Sequence, residues 1–134
     1  MEKLKQFTRN SDLGLLIFRL FVGLAMALTH GLGKLPPPER LVEGLTSMGL
    51  PMPGIMSWVV ALAEFGGGLL IAVGLCTRFA AAILGFTMLV AGFVVHAADP
   101  FGVKELAFFY LAACVLLIFT GAGKYSLDSK VCKK

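Results

Sequence analysis

Charged side chains are scarce in this sequence. Asp, Glu, Lys and Arg together make up 15% of its 134 residues, whereas hydrophobic residues make up 57%. The mean hydropathy is +0.85, well outside the range of a soluble globular domain. The shortage of charge excludes an ordinary water-soluble fold. At this length the chain has room for a single membrane domain spanning residues 1–134.

Cysteine pairs are also missing. The three cysteines, Cys76, Cys114 and Cys132, lie far apart and form no CxxC motif. This spacing offers no disulfide framework and no obvious dithiol redox centre. It therefore argues against a four-helix protein that exchanges thiols with quinones.

Basic runs are absent as well. The net charge is +4 and the isoelectric point is near 9.2, but the basic residues are spread between apolar stretches and form no patch. A nucleic-acid-binding surface needs its positive charge gathered on one face. We therefore expect membrane lipid, and no nucleic acid, among the partners.

What the sequence does contain is four apolar segments, at residues 13–32, 55–75, 79–98 and 103–121. Each is near the ~20 residues that a helix needs to cross a bilayer. The predicted fold class is an all-α membrane protein with a four-transmembrane-helix bundle.

The first link between spans is long and has a pattern of its own. Three prolines at 36–38 suit the start of a helix, and a Gly-Leu-Pro-Met-Pro stretch ends it. Between them, apolar residues recur at helical spacing at Leu41, Val42, Leu45 and Met48. We expect a short amphipathic helix in this first outer loop, the alternative being a plain flexible loop.

The basic residues predict the topology. With four spans both termini lie on one side, and that side holds eight basic residues against three on the other. The positive-inside rule then places both termini in the cytoplasm. The eight are Lys3, Lys5, Arg9, Arg78, Lys124, Lys130, Lys133 and Lys134; the three are Lys34, Arg40 and Lys104.

Three of the spans carry small and ionisable residues on one helical face. We call these faces the seams. They comprise Arg19, Gly23, Ala27, His30 and Lys34 on the first span; Ser57, Ala61, Glu64, Gly68 and Ala72 on the second; and Ala81, Gly85, Met88, Gly92 and His96 on the third. Small residues mark helix–helix contacts, and intramembrane charges face the bundle interior. The seams therefore predict a common polar centre.

We expect that centre to be a pocket open to the non-cytoplasmic side and closed below by an Arg19–Glu64 ion pair. His30, Lys34, His96, Asp99 and Glu105 would gather at its outer end, with Tyr110 deeper on the fourth span. Of these, His30, Lys34, His96 and Glu105 would line the mouth. The alternative is that Arg19 and Glu64 form only a structural clamp and that the histidines only make hydrogen bonds at the interface.

Several ligands suit such a pocket. Two histidines at similar depth are the ligands of a b-type haem, and His30, His96 and Glu105 are metal-ligand types. No further motif supports either site, so we predict no metal ligands and leave the cofactor open. A quinone headgroup fits better, because its oxygens need donors such as His, Arg or Tyr, and its reduction needs a proton source such as Glu64.

Three stretches and one residue also resemble a known family. RLFVGLAMALTHGLGKL (19–35), ALAEFGGGLLIAVGLCTR (61–78), the late His96 and GAGKYSLD (121–128) together resemble the DoxX family of small four-helix membrane proteins. The likeness covers roughly residues 12–128. The family's motif residues fall on Arg19, His30 with Lys34, Glu64 and His96. One departure is Ala122, where relatives often have proline.

By that resemblance, some relatives are membrane subunits of thiosulfate:quinone oxidoreductase and others associate with redox or detoxification systems. We expect a membrane subunit of a redox system in a bacterial plasma (inner) membrane, with Glu64, Arg19 and His96 catalytic and His30, Lys34, Glu105 and Tyr110 binding a quinone or similar small redox molecule. Soluble oxidoreductase subunits and a second copy of the chain are candidate partners. The alternatives are a non-enzymatic scaffold for soluble partners and a conduit for small solutes or anions.

Overall fold

The computed structural model describes residues 1–131, and its fold is an all-α bundle. The α-helices are α1 (Glu2–Thr8), α2 (Ser11–Ala25), α3 (Glu39–Ser47), α4 (Pro53–Val73), α5 (Thr77–Val90), α6 (Phe101–Thr120) and α7 (Leu127–Val131). A π-helical stretch, Met26–Gly31, and a 3₁₀ turn, Leu32–Lys34, extend α2, and a second π-helical stretch, Ala91–Val95, extends α5. Of the residues discussed above, Cys132, Lys133 and Lys134 lie outside the described residues.

Four helical segments are long and apolar enough to cross a membrane: Ser11–Lys34, Pro53–Val73, Thr77–Val95 and Phe101–Thr120. The predicted four-helix membrane bundle is confirmed. Each span begins two residues before the predicted start. The reason is that a helix begins at its capping residues, which are less apolar than the segment that follows. Asn10 shows this, since its side-chain oxygen accepts a hydrogen bond from Leu13 N–H at 3.1 Å.

The ends of the bundle are named here by the residues they hold. The basal end contains Ser11, the turn between α4 and α5, and residues 121–131. The apical end contains Lys34, Pro53, Val95 and Phe101. The two names do not state on which side of the membrane each end lies.

The seams lie at the helix contacts, as the sequence predicts. Every seam residue is buried or half-buried. The first two spans approach closely: a Cβ added to Gly68 would lie 2.7 Å from the Gly23 carbonyl oxygen and 2.8 Å from the Ala27 amide nitrogen. Backbone atoms cannot yield to such a methyl group, so glycine sets how closely α2 and α4 approach.

The link between the first two spans contains the expected amphipathic helix, α3. Its Leu45 is 7% exposed, and the helix packs against α4. On either side of Leu45, Leu41, Val42 and Met48 are half-buried, while Glu43 and Thr46 are exposed. The period of the apolar residues therefore predicts this helix and its buried face correctly.

Candidate functional site

A cavity of about 170 Å³ lies among the four spans at the apical end. Its walls come from all four spans: Met26, His30 and Lys34 from the first, Glu64 from the second, Met88, Ala91 and His96 from the third, and Val103, Leu106, Ala107 and Tyr110 from the fourth. The ionisable groups of three separate spans therefore meet in one place, with an apolar wall supplied mainly by α6.

An ion pair between Lys34 and Glu64 forms part of this wall. Lys34 Nζ lies 2.6 Å from Glu64 Oε2. The Glu64 side chain is 3% exposed and that of Lys34 is 31% exposed, so a buried carboxylate is joined to a half-exposed ammonium. The intramembrane glutamate has a partner, as the cost of burying its charge requires, and the partner has access to the cavity mouth.

Both histidines of the cavity lie at π-helical segments. His30 lies within Met26–Gly31, and His96 directly follows Ala91–Val95, where its backbone N–H donates to the Ala91 carbonyl at 3.0 Å. Single π-helical turns inside helices occur frequently at functional sites, because the extra residue rotates the side chains that follow. The first and third spans therefore present their histidines in the same manner.

Each histidine also has a neighbour that orients its ring. The His30 and Tyr110 rings are 5.5 Å apart, edge to face. His96 Nδ1 lies 2.8 Å from Asp99 Oδ2. An ionised carboxylate only accepts hydrogen bonds, so Nδ1 carries the hydrogen, and Nε2 is the acceptor of the neutral ring. The sequence predicts Asp99 among the polar residues at the outer end, but not its contact with His96; their spacing of three residues is the signal that could have found it.

Glu105 does not belong to this cavity. It is exposed, whereas Val103, Leu106, Ala107 and Tyr110 of the same helix line the wall. A helix turns by about 100° per residue, so Glu105 faces away from the wall that its neighbours form. The predicted mouth position of Glu105 is corrected on this ground.

The expected Arg19–Glu64 pair is not present either. Arg19 is fully buried at the basal end of the bundle, and its guanidinium bonds to main-chain carbonyls. Nη1 donates to the carbonyls of Ile71 and Ala72, each at 3.2 Å, and Nη2 donates to that of Tyr125 at 2.5 Å. Ile71 and Ala72 are in the last turn of α4, whose carbonyls have no partners within the helix. Arg19 therefore caps α4 and joins it to the C-terminal segment.

Side-chain direction explains why the pair does not form. In an α-helix the Cα–Cβ bond tilts toward the helix N-terminus. The first span runs from the basal end to the apical end and the second runs back, so Arg19 is directed basally and Glu64 apically. Arg19 and Glu64 lie at similar depths along their helices, but their side chains point in opposite directions and do not meet.

A second basal residue, Asp128, was not predicted. Its carboxylate accepts the N–H groups of Cys76 at 2.7 Å and Thr77 at 2.9 Å, which are unpaired donors at the start of α5. Burial by itself would raise the pKa of Asp128, but these hydrogen bonds and the positive charge of Arg19 outweigh it and lower that pKa below the ordinary value. Asp128 is the last residue of the GAGKYSLD stretch, which thus closes the basal end.

Within residues 1–131 no group of three or more His, Cys, Asp or Glu side chains is placed to hold a metal ion. His30 and His96 both line the cavity, but Glu105, the third residue of the metal set considered above, faces elsewhere.

Comparison with known proteins decides the family. The DoxX family model matches residues 14–97, which include the first three spans and all of the polar cavity residues except Tyr110. The chain belongs to the DoxX family. This confirms the resemblance drawn from the sequence.

Curated relatives match almost the whole of this DoxX-family chain. It is 37% identical to inner membrane protein YqjF of Escherichia coli over 92% of this chain and 95% of the relative. It is 31% identical to the protein named "Putative oxidoreductase CatD" of Bacillus subtilis, over 93% and 92%. No solved structure gives a significant match. The four spans and the inner-membrane relative together make this DoxX-family chain a multi-pass membrane protein.

Proposed function

We propose that this protein is a membrane subunit of a redox system and that its apical cavity binds the headgroup of a quinone or a similarly small redox molecule. The observation that carries the proposal is the buried Glu64 carboxylate, paired with Lys34 in the wall of a cavity that two histidines and a tyrosine also line. An ionisable group inside a membrane is a candidate functional group by default.

The size of the cavity supports a single small ring. Its volume is about 170 Å³. An apolar cavity of about 150 Å³ accommodates benzene, so this one has room for one six-membered ring and little more. A long apolar tail would lie outside it, among the exposed apolar side chains of the spans.

The lining also supplies the chemistry that a quinone requires. When bound, a quinone takes up two electrons and two protons and becomes a quinol. The Lys34 ammonium and the Tyr110 hydroxyl are hydrogen-bond donors for its carbonyl oxygens. Glu64 and His96 are groups that can exchange protons with it. The electrons would come from a reduced soluble oxidoreductase subunit.

Two further facts favour this assignment. One relative over nearly its full length is named "Putative oxidoreductase CatD". The basic residues of the described chain lie mostly at the basal end, which the positive-inside rule assigns to the cytoplasm. Under the proposal the termini are then cytoplasmic and the cavity opens toward the other side of a bacterial inner membrane.

A binding measurement tests the proposal. The purified protein in lipid nanodiscs would be titrated with short-tailed benzoquinone and naphthoquinone analogues, following both the quenching of Trp58 fluorescence and the melting temperature. We expect saturable quenching and stabilisation, and both should be strongly reduced in Glu64→Gln. The matched control is Glu105→Gln, the same chemical change on a carboxylate outside the cavity.

The titration distinguishes a quinone site in the cavity from partitioning of the analogue into lipid. Saturable binding that Glu64→Gln weakens and Glu105→Gln leaves unchanged supports a quinone site in the cavity. Quenching that rises linearly with analogue concentration and is equal in all three proteins is partitioning into lipid, and it rejects the proposal.

A further inference from the structure

The apolar residues at the N-terminus, Met1 and two residues of helix α1, lie on one face, and they are largely exposed. Met1, Leu4 and Phe7 are 97%, 67% and 63% exposed. They are spaced three residues apart, so a helix with 3.6 residues per turn puts them on one side. The lysines of this segment contribute to the predicted topology, but its sequence does not predict the helix.

The charged residues of α1 are arranged around that face. Lys3 and Lys5, the neighbours of Leu4, each lie about 100° from the centre of the apolar face. Glu2 and Gln6 lie about 160° from it, on the opposite side. Lysines that flank an apolar face can extend their ammonium groups to phosphates while their stems stay in the boundary layer.

The position of α1 relative to the membrane is fixed by the residues that follow it. The membrane-crossing span starts at Ser11, and only Arg9 and Asn10 separate it from α1. Asn10 caps the span through Leu13 N–H and donates its own N–H to the Phe7 carbonyl at 3.3 Å. The helix α1 therefore ends where the first span begins, with two residues between it and Ser11.

The basal surface around α1 is positive. Six basic residues of the described chain lie there, Lys3, Lys5, Arg9, Arg78, Lys124 and Lys130, against three carboxylates, Glu2, Asp12 and Asp128. Two of these carboxylates accept backbone N–H groups: Asp12 accepts that of Lys124, and Asp128 accepts those of Cys76 and Thr77. The surface thus complements an anionic one.

We propose that α1 is an interfacial anchor that lies on the membrane surface at the basal end and binds anionic phospholipid headgroups. Met1, Leu4 and Phe7 enter the boundary between headgroups and acyl chains, and Lys3, Lys5 and Arg9 contact the phosphates. Short amphipathic helices with this arrangement bind through buried apolar area together with attraction to anionic lipid. The anchor is independent of what the apical cavity binds.

Two single-tryptophan reporters test the anchor in the full chain. Trp58→Phe removes the native tryptophan, and Phe7→Trp or Gln6→Trp then places a reporter on the apolar or the opposite face of α1. The proteins would be reconstituted in nanodiscs of phosphatidylcholine alone or mixed with phosphatidylglycerol. Emission wavelength and quenching by lipids brominated on their acyl chains would be recorded.

We expect the Phe7→Trp reporter to emit at shorter wavelength than the Gln6→Trp reporter, to be quenched more by brominated lipid, and to respond to phosphatidylglycerol. Lys3→Gln with Lys5→Gln should strongly reduce the response to phosphatidylglycerol and leave the part due to Arg9, since each basic residue near an anionic surface changes the docking equilibrium about fivefold. Equal emission and quenching from the two faces would overturn the anchor. Equal behaviour in neutral and anionic nanodiscs would overturn its preference for anionic lipid.

Discussion

The two ends of the bundle treat a buried ionisable residue differently. At the basal end Arg19 is fully buried, and its hydrogen bonds go to the carbonyls of Ile71, Ala72 and Tyr125. At the apical end Glu64 is almost as deeply buried, but its partner is Lys34, whose side chain is half-exposed beside a cavity. The first arrangement holds three parts of the chain together. The second leaves charged groups where a ligand can reach them.

Under the proposed function, burial alone does not separate structural from functional charges in this protein. The kind of partner then separates them. Backbone carbonyls cannot move without unwinding a helix end, whereas a lysine side chain can change partners when a ligand arrives. Substitutions at the two ends test this difference between backbone and side-chain partners, from the largest expected change to the smallest.

The largest effect is expected from Arg19→Met. It removes the donors of three carbonyls at once, and hydrogen bonds to a charged group are worth about 1.5–3 kcal/mol each. We expect a loss of about 3 kcal/mol or more in the free energy of unfolding. Titration with a denaturing detergent, followed by circular dichroism, measures it. Lys130→Met, which removes an exposed basal charge, is the control. An equal loss of stability in both variants would refute the structural role of Arg19.

Glu64→Gln should change ligand binding more than stability. Lys34 is half-exposed and can turn toward water when its partner is lost. We therefore expect less destabilisation than the roughly 3–5 kcal/mol of breaking a fully buried pair, and less than for Arg19→Met. The dissociation constant for a quinone analogue should rise tenfold or more, which is about 1.4 kcal/mol of binding free energy. Fluorescence titration and melting of the same samples measure both. A large loss of stability with unchanged affinity would make this pair another clamp.

Asp128 should make the basal end sensitive to acid. Its pKa is lowered in the folded protein, so its contribution to stability is present above the ordinary value of 3.8 and is lost as pH falls through the lowered value. Asp128→Ala should cost about 1 kcal/mol at neutral pH, as the loss of a helix N-cap does. Asp128→Asn keeps a side-chain oxygen that can accept a hydrogen bond but removes the ionisable carboxylate. Unfolding measured from neutral to acidic pH should show the wild type approaching the Asp128→Asn variant only in acid, and parallel pH profiles would contradict this.

The smallest effect is expected from Asp99→Ala at the apical end. The His96–Asp99 pair is exposed, and exposed pairs contribute about 0–1 kcal/mol, so the melting temperature should hardly change. Loss of the group that orients His96 should weaken analogue binding by a few-fold, within about 1 kcal/mol. Asp12→Ala, the loss of a basal carboxylate, should leave that affinity unchanged. An affinity equal to that of the wild type in Asp99→Ala would remove His96 from the binding groups.

The parts of the structure that the sequence predicts are those set by periodicity. The four spans, the buried face of α3 and the three seams follow from apolar and small residues at helical spacing, and the burial of Leu45 and Gly68 agrees with it. What periodicity does not determine is the direction of a long side chain along the helix axis. Arg19 and Glu64 lie on facing seams, and only the tilt of each side chain toward its own helix N-terminus separates them.

The remaining differences have equally local causes. Glu105 follows Lys104 and Val103 in a helix that is apolar almost all round, so no pattern marks which of its faces meets the cavity. Asp128 lies 51 residues from Thr77, at the helix start that it caps, and α1 is too short for a clear period. Contacts distant in sequence and helices of seven residues are therefore the features that required the structure.

The most direct test compares analogue affinity and stability in Arg19→Lys and Glu64→Gln. Lysine keeps the positive charge at position 19 but lacks the planar fork that reaches several carbonyls. We expect Arg19→Lys to lower the melting temperature, while its folded fraction binds the quinone analogue as the wild type does. We expect Glu64→Gln to have a melting temperature near that of the wild type and to bind the analogue at least about tenfold more weakly. The reverse result, with affinity lost at Arg19 and stability lost at Glu64, would contradict the division between the two ends of the bundle.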